Sequence, residues 1–234
     1  MSEFSSAIGA ALSMIATFDA ALVEIVLLSL QVSLSAVAIA SVVALPLGAL
    51  IALQQFPGRR AVVILLNALM GLPPVVVGLM VYLLLSRAGP LGPMGLLFTP
   101  TAMVIAQSII VLPIIAALSR QTIADLHEEY DEHLRSLGCS PLQSVATLLW
   151  DGRFRLLTAI MAGFGRAIAE VGAVIIVGGN IQHATRVMTT TIALETSKGN
   201  LALALGLGLI LVTLALGVNA TALVISDAAR QRYG

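Results

Sequence analysis

The chain has 234 residues, of which 59% are hydrophobic and only 10% charged, with a mean hydropathy of +1.02. Soluble domains carry roughly 25% charged residues, so that class is excluded and the chain belongs in lipid. Twelve basic residues balance twelve acidic ones, which removes any bulk attraction to nucleic acid and shifts interest to where each charge sits.

In chain order, Met1 to Val23 holds Glu3 and Asp19 but no Lys or Arg, so it lacks the basic region of a secretory signal. Ala7 to Thr17 is apolar yet short of the roughly 17 residues that cross a bilayer. Residues 1–20 therefore read as an interfacial segment, and 21–234 as the membrane domain. Uncharged windows run Ile25 to Gly58, Ala61 to Ser86, Ala88 to Ser119 and Gly199 to Ser226, each long enough for a spanning helix. Gly89-Pro90, Gly92-Pro93 and Thr99-Pro100 interrupt the third, leaving a span from about Thr101. A fifth stretch, Leu156 to Gly178, is apolar except for Arg166 and Glu170, and its small residues suit close helix packing. The expected fold is all-α, with five transmembrane helices near 25–53, 61–86, 101–119, 156–178 and 200–226. Pro46, Pro73-Pro74 and Pro113 lie within or near spans, where missing backbone donors kink a helix and offer gate hinges.

Five spans put the termini on opposite sides. One assignment gathers Arg59, Arg60, Arg120, Arg135, Arg153, Arg155, Arg230 and Arg232 on a single side, against Arg87, Arg186 and Lys198 on the other. The richer side is the cytoplasm. The N-terminus is then outside and the C-terminus inside.

The polar loop 120–155 falls in the cytoplasm and opens with Asp125, Glu128, Glu129, Asp131 and Glu132. Helically spaced Leu134, Leu137, Leu142, Val145, Leu148 and Leu149 are interrupted by Gly138, with Ser140 placed as N-cap and Pro141 at the first helical position. The pattern predicts helix, glycine turn, short helix. Such a bend projects from the membrane into a partner's groove. Lone Cys139 excludes an internal disulfide and a cysteine metal cluster.

This loop resembles the EAA loop of ABC-importer permeases, which forms the coupling helix seated on the ATPase. Glu132 and Gly138 fall at the expected positions, His133-Leu134 replace Ala-Ala, and Leu148-Leu149-Trp150-Asp151 replace the trailing Ile-x-Leu-Pro. The resemblance implies ATPase docking through Glu132, His133, Leu134, Gly138, Ser140 and Pro141.

Arg166 and Glu170, four apart, are expected on one helix, where unpaired charges in lipid cost several kcal/mol. They read either as a cation beside an anion path with its partner, or as a structural ion pair. The segment Gly178 to Gly199 is rich in hydroxyls, amides and glycine N–H groups, with Arg186 and Lys198 as its cations. Those groups suit a tetrahedral oxyanion, contact with a substrate-binding protein, or an ordinary exposed loop. His183 has no neighbouring His or Cys, so no metal site is expected.

Gly163 to Ala173, Gly178 to Ile181, Thr185-Arg186 and Val187 to Thr191 are similar to molybdate, sulfate and tungstate permeases, most of all to the tungstate branch. That resemblance implies a path or gate built from Arg166, Glu170, Gly178, Gly179, Asn180, Thr185, Arg186, Thr189 and Thr190. It also implies a permease homodimer in a bacterial or archaeal inner membrane, an extracytoplasmic oxyanion-binding protein, surrounding lipid, and ATPase subunits that hold ATP and Mg. The chain has no G-x-x-x-x-G-K-[ST] sequence, so no ATP site, catalytic residue or cofactor is expected on it. Two rivals are an ion-coupled secondary transporter or channel using Arg166 and Glu170, and a membrane scaffold without transport.

Overall fold

The computed structural model describes residues 19–233, together with 8–9, 12–13 and 15–17. The expected interfacial segment 1–20 lies largely outside the described residues. Nine α-helices follow in order among those described: α1 (Ala20–Leu53), α2 (Arg59–Leu69), α3 (Pro74–Leu85), α4 (Pro100–Ser136), α5 (Pro141–Asp151), α6 (Arg153–Ile168), α7 (Gly172–Gly178), α8 (Met188–Lys198) and α9 (Leu201–Tyr233). One 3-10 turn, Gly92–Met94, precedes α4.

Helix α1 begins earlier than hydropathy alone suggests. The carboxylate of Asp19 accepts the amides of Ala21 and Leu22 at 3.0 and 3.1 Å, satisfying donors that the first turn leaves open. At its far end, Arg59 closes the following turn by donating to the carbonyls of Ile51 and Ala52 at 2.8 and 2.9 Å. Three helices, Ala20–Leu53, Pro100–Leu134 and Leu201–Ile225, are long and apolar enough to cross a membrane. The pairs Arg59–Leu69 with Pro74–Leu85, and Arg153–Ile168 with Gly172–Gly178, raise the count to five if each broken pair is one span.

The first break falls at Pro73-Pro74, where a kink is expected, whereas the second interrupts a helix expected to run through 156–178. Between α2 and α3, Pro73 takes an extended conformation with ψ 121 and Pro74 opens the next helix; proline disfavours helical geometry in the residue before it. Between α6 and α7 no proline intervenes, and the cause is a set of side-chain contacts described below. Pro46 lies inside α1 and Pro113 inside α4.

The chain divides into two compact units: Met1–Ala36, Pro73–Gln107 and Ala167–Gly217, and Val37–Leu72, Ser108–Arg166 and Val218–Gly234. In the first, α3 packs on α7 so closely that a Cβ on Gly78 would lie 2.7 Å from Ala173 Cα. Lipid tails give helices no hydrophobic reason to associate, so such close approach supplies the attraction through dispersion contacts. In the second, Ala49, Ala52, Ile123, Leu126, Leu134, Val145, Leu148 and Leu156 form one buried cluster. Leu134, Val145 and Leu148 thereby anchor both arms of the glycine turn to the helices beneath. Nearby, Ser119 donates to the carbonyl of Leu45 at 3.0 Å.

Val42 (76% exposed), Leu216 (67%) and Val224 (67%) leave large apolar side chains uncovered. On helices of this length that is the surface a bilayer covers.

Candidate functional site

Two regions carry the chemistry: the α4–α5 turn lies in the second unit, and the stretch from Ala167 to Lys198 in the first. The first is the turn between α4 and α5. Gly138 sits at φ 66, and the amide of Cys139 donates to the carbonyl of Leu134 at 3.1 Å. This is the six-residue closure of a Schellman motif, in which a left-handed residue ends the helix. Three residues later the next helix starts from a capping box: Gln143 N–H donates to Ser140 Oγ at 3.4 Å, and Ser140 N–H donates to Gln143 Oε1 at 2.8 Å. Pro141 occupies the first turn. Both arms are locked by local bonds, so the bend has one shape before any partner arrives.

That fixed shape presents apolar surface to solvent. Leu137, Leu142 and Trp150 are 77%, 70% and 71% exposed, while Leu134 is buried and Glu132 and His133 are exposed. Helical spacing had grouped Leu137 and Leu142 with the core leucines; they point away from it. Trp150 is held by Arg153, whose guanidinium lies 4.7 Å from its ring and donates to its carbonyl at 2.6 Å. Arg155 pairs with Glu129 at 3.7 Å across exposed surface, which contributes little to stability.

The second region surrounds the break between α6 and α7. Arg166 and Glu170 do not share a helix: Arg166 is half-buried in the last turn of α6, and Glu170 lies beyond its end at Ile168. Glu170, 4% exposed, accepts the amide of Ala173 on its carboxylate at 3.1 Å, and the hydroxyl of Thr189 on its carbonyl at 2.8 Å. The side chain thus supplies an acceptor to the start of α7, and the main chain is bonded to α8 instead of continuing α6. Gln107, on α4, donates to the carbonyl of Ala167 at 3.1 Å. Ser29, on α1, accepts the amide of Met188 at 2.8 Å. Nothing in hydropathy singles out Ser29, Ser33 or Gln107, because their uncharged windows also hold Gln31, Ser35, Ser41 and Ser108.

The segment after α7 bonds chiefly to itself. Gly178 is buried, Gly179 is left-handed at φ 71, and Asn180 and His183 also take positive φ. Thr185, fully buried, donates to the carbonyl of Gly178 and accepts the amide of Ile181 at 3.0 Å. Thr190 is likewise fully buried, with its hydroxyl 3.0 Å from Asn180 Oδ1 and 3.1 Å from the carbonyl of Val187. These groups brace one another, and Thr189 braces the break.

Arg186 differs. It is half-buried, its Nε makes no hydrogen bond among the described residues, and it borders a cavity of about 30 Å³ with Glu24, Gln182 and His183. His183 Nδ1 meets Glu24 at 2.9 Å, a partner that sequence reading missed. Glu195, buried at the end of α8, is held below the usual carboxylate range by hydrogen bonds from Lys198 and Asn200, helped by the charges of Lys198 and Arg186. Among the described residues, no three His, Cys, Asp or Glu side chains gather as a metal site would require.

A helical membrane chain with a rigid, apolar-tipped loop and a polar, broken helix has the parts of a transport subunit driven by a partner. Residues 44–232 match the family of binding-protein-dependent transport system inner membrane components, and the chain belongs to that family. It is 39% identical over 218 residues to a probable anion ABC transporter permease protein of Haloferax volcanii, covering 91% of this chain and 94% of that one. It is 41% identical over 191 residues to the tungstate uptake system permease protein TupB of Peptoclostridium acidaminophilum, covering 82% and 84%. A sulfate transport system permease protein, CysT of Synechocystis, is more distant at 31% over 134 residues, covering 54% and 47%. The chain is therefore a multi-pass ABC permease subunit of the oxyanion group, nearer the tungstate than the sulfate permeases, with no ATPase site of its own. Its family implies an ATPase and a substrate-binding protein as partners.

Proposed function

We propose that two copies of this chain form the membrane path of an inner-membrane importer whose oxyanion cargo is tungstate, with molybdate or sulfate as the next candidates. Each copy spans the membrane five times, with its N-terminus outside and its C-terminus in the cytoplasm. The loop 120–155 docks on the ATPase through Leu137, Leu142 and Trp150 around the Gly138 turn, with Glu132, His133 and Ser140 at its edge. ATP and Mg bind on that partner, whose closure moves the loop and opens the path toward a tungstate-loaded binding protein. Arg166 and Arg186 provide positive charge for a dianion. Glu170, Gly178, Gly179, Asn180, Thr185, Thr189 and Thr190 shape the gate.

The observation that carries this reading is the pre-shaped loop: three large apolar side chains, at least 70% exposed, on a bend whose two arms are capped by local hydrogen bonds. Exposed apolar surface on a rigid polar loop marks a protein contact. The tungstate assignment is supported by the 41% identity to a tungstate permease. An ion-coupled transporter would not require such a loop, and membership of the ABC permease family speaks against it.

Reconstitution tests the reading. The chain, its ATPase and its binding protein in liposomes are expected to accumulate labelled tungstate only with ATP, and unlabelled tungstate is expected to compete better than molybdate or sulfate. Uptake without ATP, or an equal response to all three anions, would count against it.

A further inference from the structure

Gln107 is an unusual residue for its surroundings. It sits in the uncharged window that α4 sends through the membrane and is 4% exposed. Its Nε2 donates to the carbonyl of Ala167 at 3.1 Å, whereas its Oε1 is buried and makes no hydrogen bond among the described residues. In a lipid-embedded interior an unmatched amide oxygen is costly. A leucine or methionine would occupy the place without that cost.

Gln107 lines a cavity of about 10 Å³ together with Ser29, Ser33, Glu170 and Thr189. That room corresponds to one water molecule, and the walls supply the polar partners that a buried water needs. Ser29 is already engaged, donating to Ile25 and accepting from Met188. Thr189 donates to Glu170. Gln107 Oε1 is an acceptor with no donor among the described residues, so a guest that donates suits it. A water has two protons to give, whereas a tetrahedral oxyanion has none and is too large.

We propose that Gln107 is a positioning residue for transport: it holds the carbonyl end of α6 directly, and with one cavity water it sets the geometry of the break before α7. The inference rests on the reading that the stretch from Arg166 to Thr190 forms the gate. Helix α4 carries Gln107 toward one end and Glu132 to Ser136 of the docking loop at the other. Pro113 lies between them on that helix, and the donation from Gln107 fixes Ala167 within their shared unit.

The test uses the whole transporter, with its ATPase and binding protein, in liposomes. Gln107→Leu is expected to keep ATP hydrolysis within about twofold of wild type while tungstate moved per ATP falls at least tenfold. A merely structural role would lower hydrolysis and uptake together, and an unchanged ratio overturns the inference. If the leucine variant does not accumulate, the nearly isosteric Gln107→Met carries the same comparison; failure of both to fold assigns Gln107 to stability alone and also overturns it. A density map of the wild-type complex that resolves waters is expected to show one within hydrogen-bond distance of Gln107 Oε1, and a featureless cavity refutes the water. Wild-type liposomes that move none of the three oxyanions would defeat the functional reading instead, and the map still decides the water.

Discussion

The hydroxyl of Thr189 donates to the main-chain carbonyl of Glu170 at 2.8 Å, joining residues nineteen apart in sequence. The carbonyl just past the end of α6 is thereby held from α8, and the helix break has a partner that keeps it open. Thr189→Val preserves shape and removes the donor. The Glu170 carbonyl then loses this donor, at about 0.5–1.5 kcal/mol for a typical hydrogen bond. A lower unfolding temperature in detergent, with reduced uptake, is the expected result; an unchanged melt would show that the bond does not hold the break.

At the turn between α4 and α5, Gly138 lies at φ 66 with open space where a Cβ would sit. Gly138→Val therefore meets backbone strain and no clash, at about 1–2 kcal/mol for a non-glycine residue in this region. Because the strain falls on the turn, the variant is expected to assemble in the membrane and hydrolyse ATP with its partner, while uptake per ATP drops. Equal coupling in variant and wild type would remove the turn from the docking mechanism.

Leu137 and Leu142 touch little of their own chain, so Leu137→Ser with Leu142→Ser should change stability by no more than about 0.5 kcal/mol each. Retention of the ATPase should fall at least tenfold, equivalent to about 1.4 kcal/mol. Copurification and a thermal melt separate the two effects. Loss of fold with retained ATPase would invert the assignment.

Glu195 gives a pH signature. Its carboxyl is held low by Lys198 and Asn200, so in the folded state it gives up its proton more readily than in the unfolded chain. Its contribution is complete above the ordinary carboxylate range and is lost as pH falls through the depressed folded value. Unfolding temperatures of Glu195→Gln should lie below wild type at pH 7 and approach it in acid. A gap that persists unchanged at low pH would point to packing rather than charge.

Gly78 tests the packing of α3 on α7. A methyl there would come within 2.7 Å of Ala173 Cα, a backbone atom that yields only if the helices separate. Gly78→Ala is expected to destabilise by about 1–3 kcal/mol, read as a lower unfolding temperature. Wild-type stability would mean that the two helices pack less tightly than the structure has them.

The shape of the Gly138 turn was legible because its determinants are local. Gly138 ends one helix, Ser140 and Pro141 start the next, and each acts on its own few residues. Hydropathy located the long helices for a similar reason, since lipid selects uncharged runs whatever packs beside them. The break at α6 was not legible. Ala169, Glu170 and Val171 include no proline or glycine, and a spacing of four between Arg166 and Glu170 looks helical. Only Thr189, Gln107 and the amide of Ala173 make that stretch leave the helix.

The amino-acid sequence by itself determined that this chain lives in a membrane, which stretches form its long apolar helices, and how the loop around Gly138 bends. Those properties follow from transfer of side chains to lipid and from backbone preferences of single residues. Tertiary structure decided which polar groups are consumed and which are left to act. Thr185 and Thr190 are spent on neighbouring atoms, whereas Gln107 Oε1 and Arg186 Nε, in residues that line cavities, make no hydrogen bond among the described residues. Whether a hydroxyl or amide is free depends on partners distant in sequence, and no local pattern encodes them.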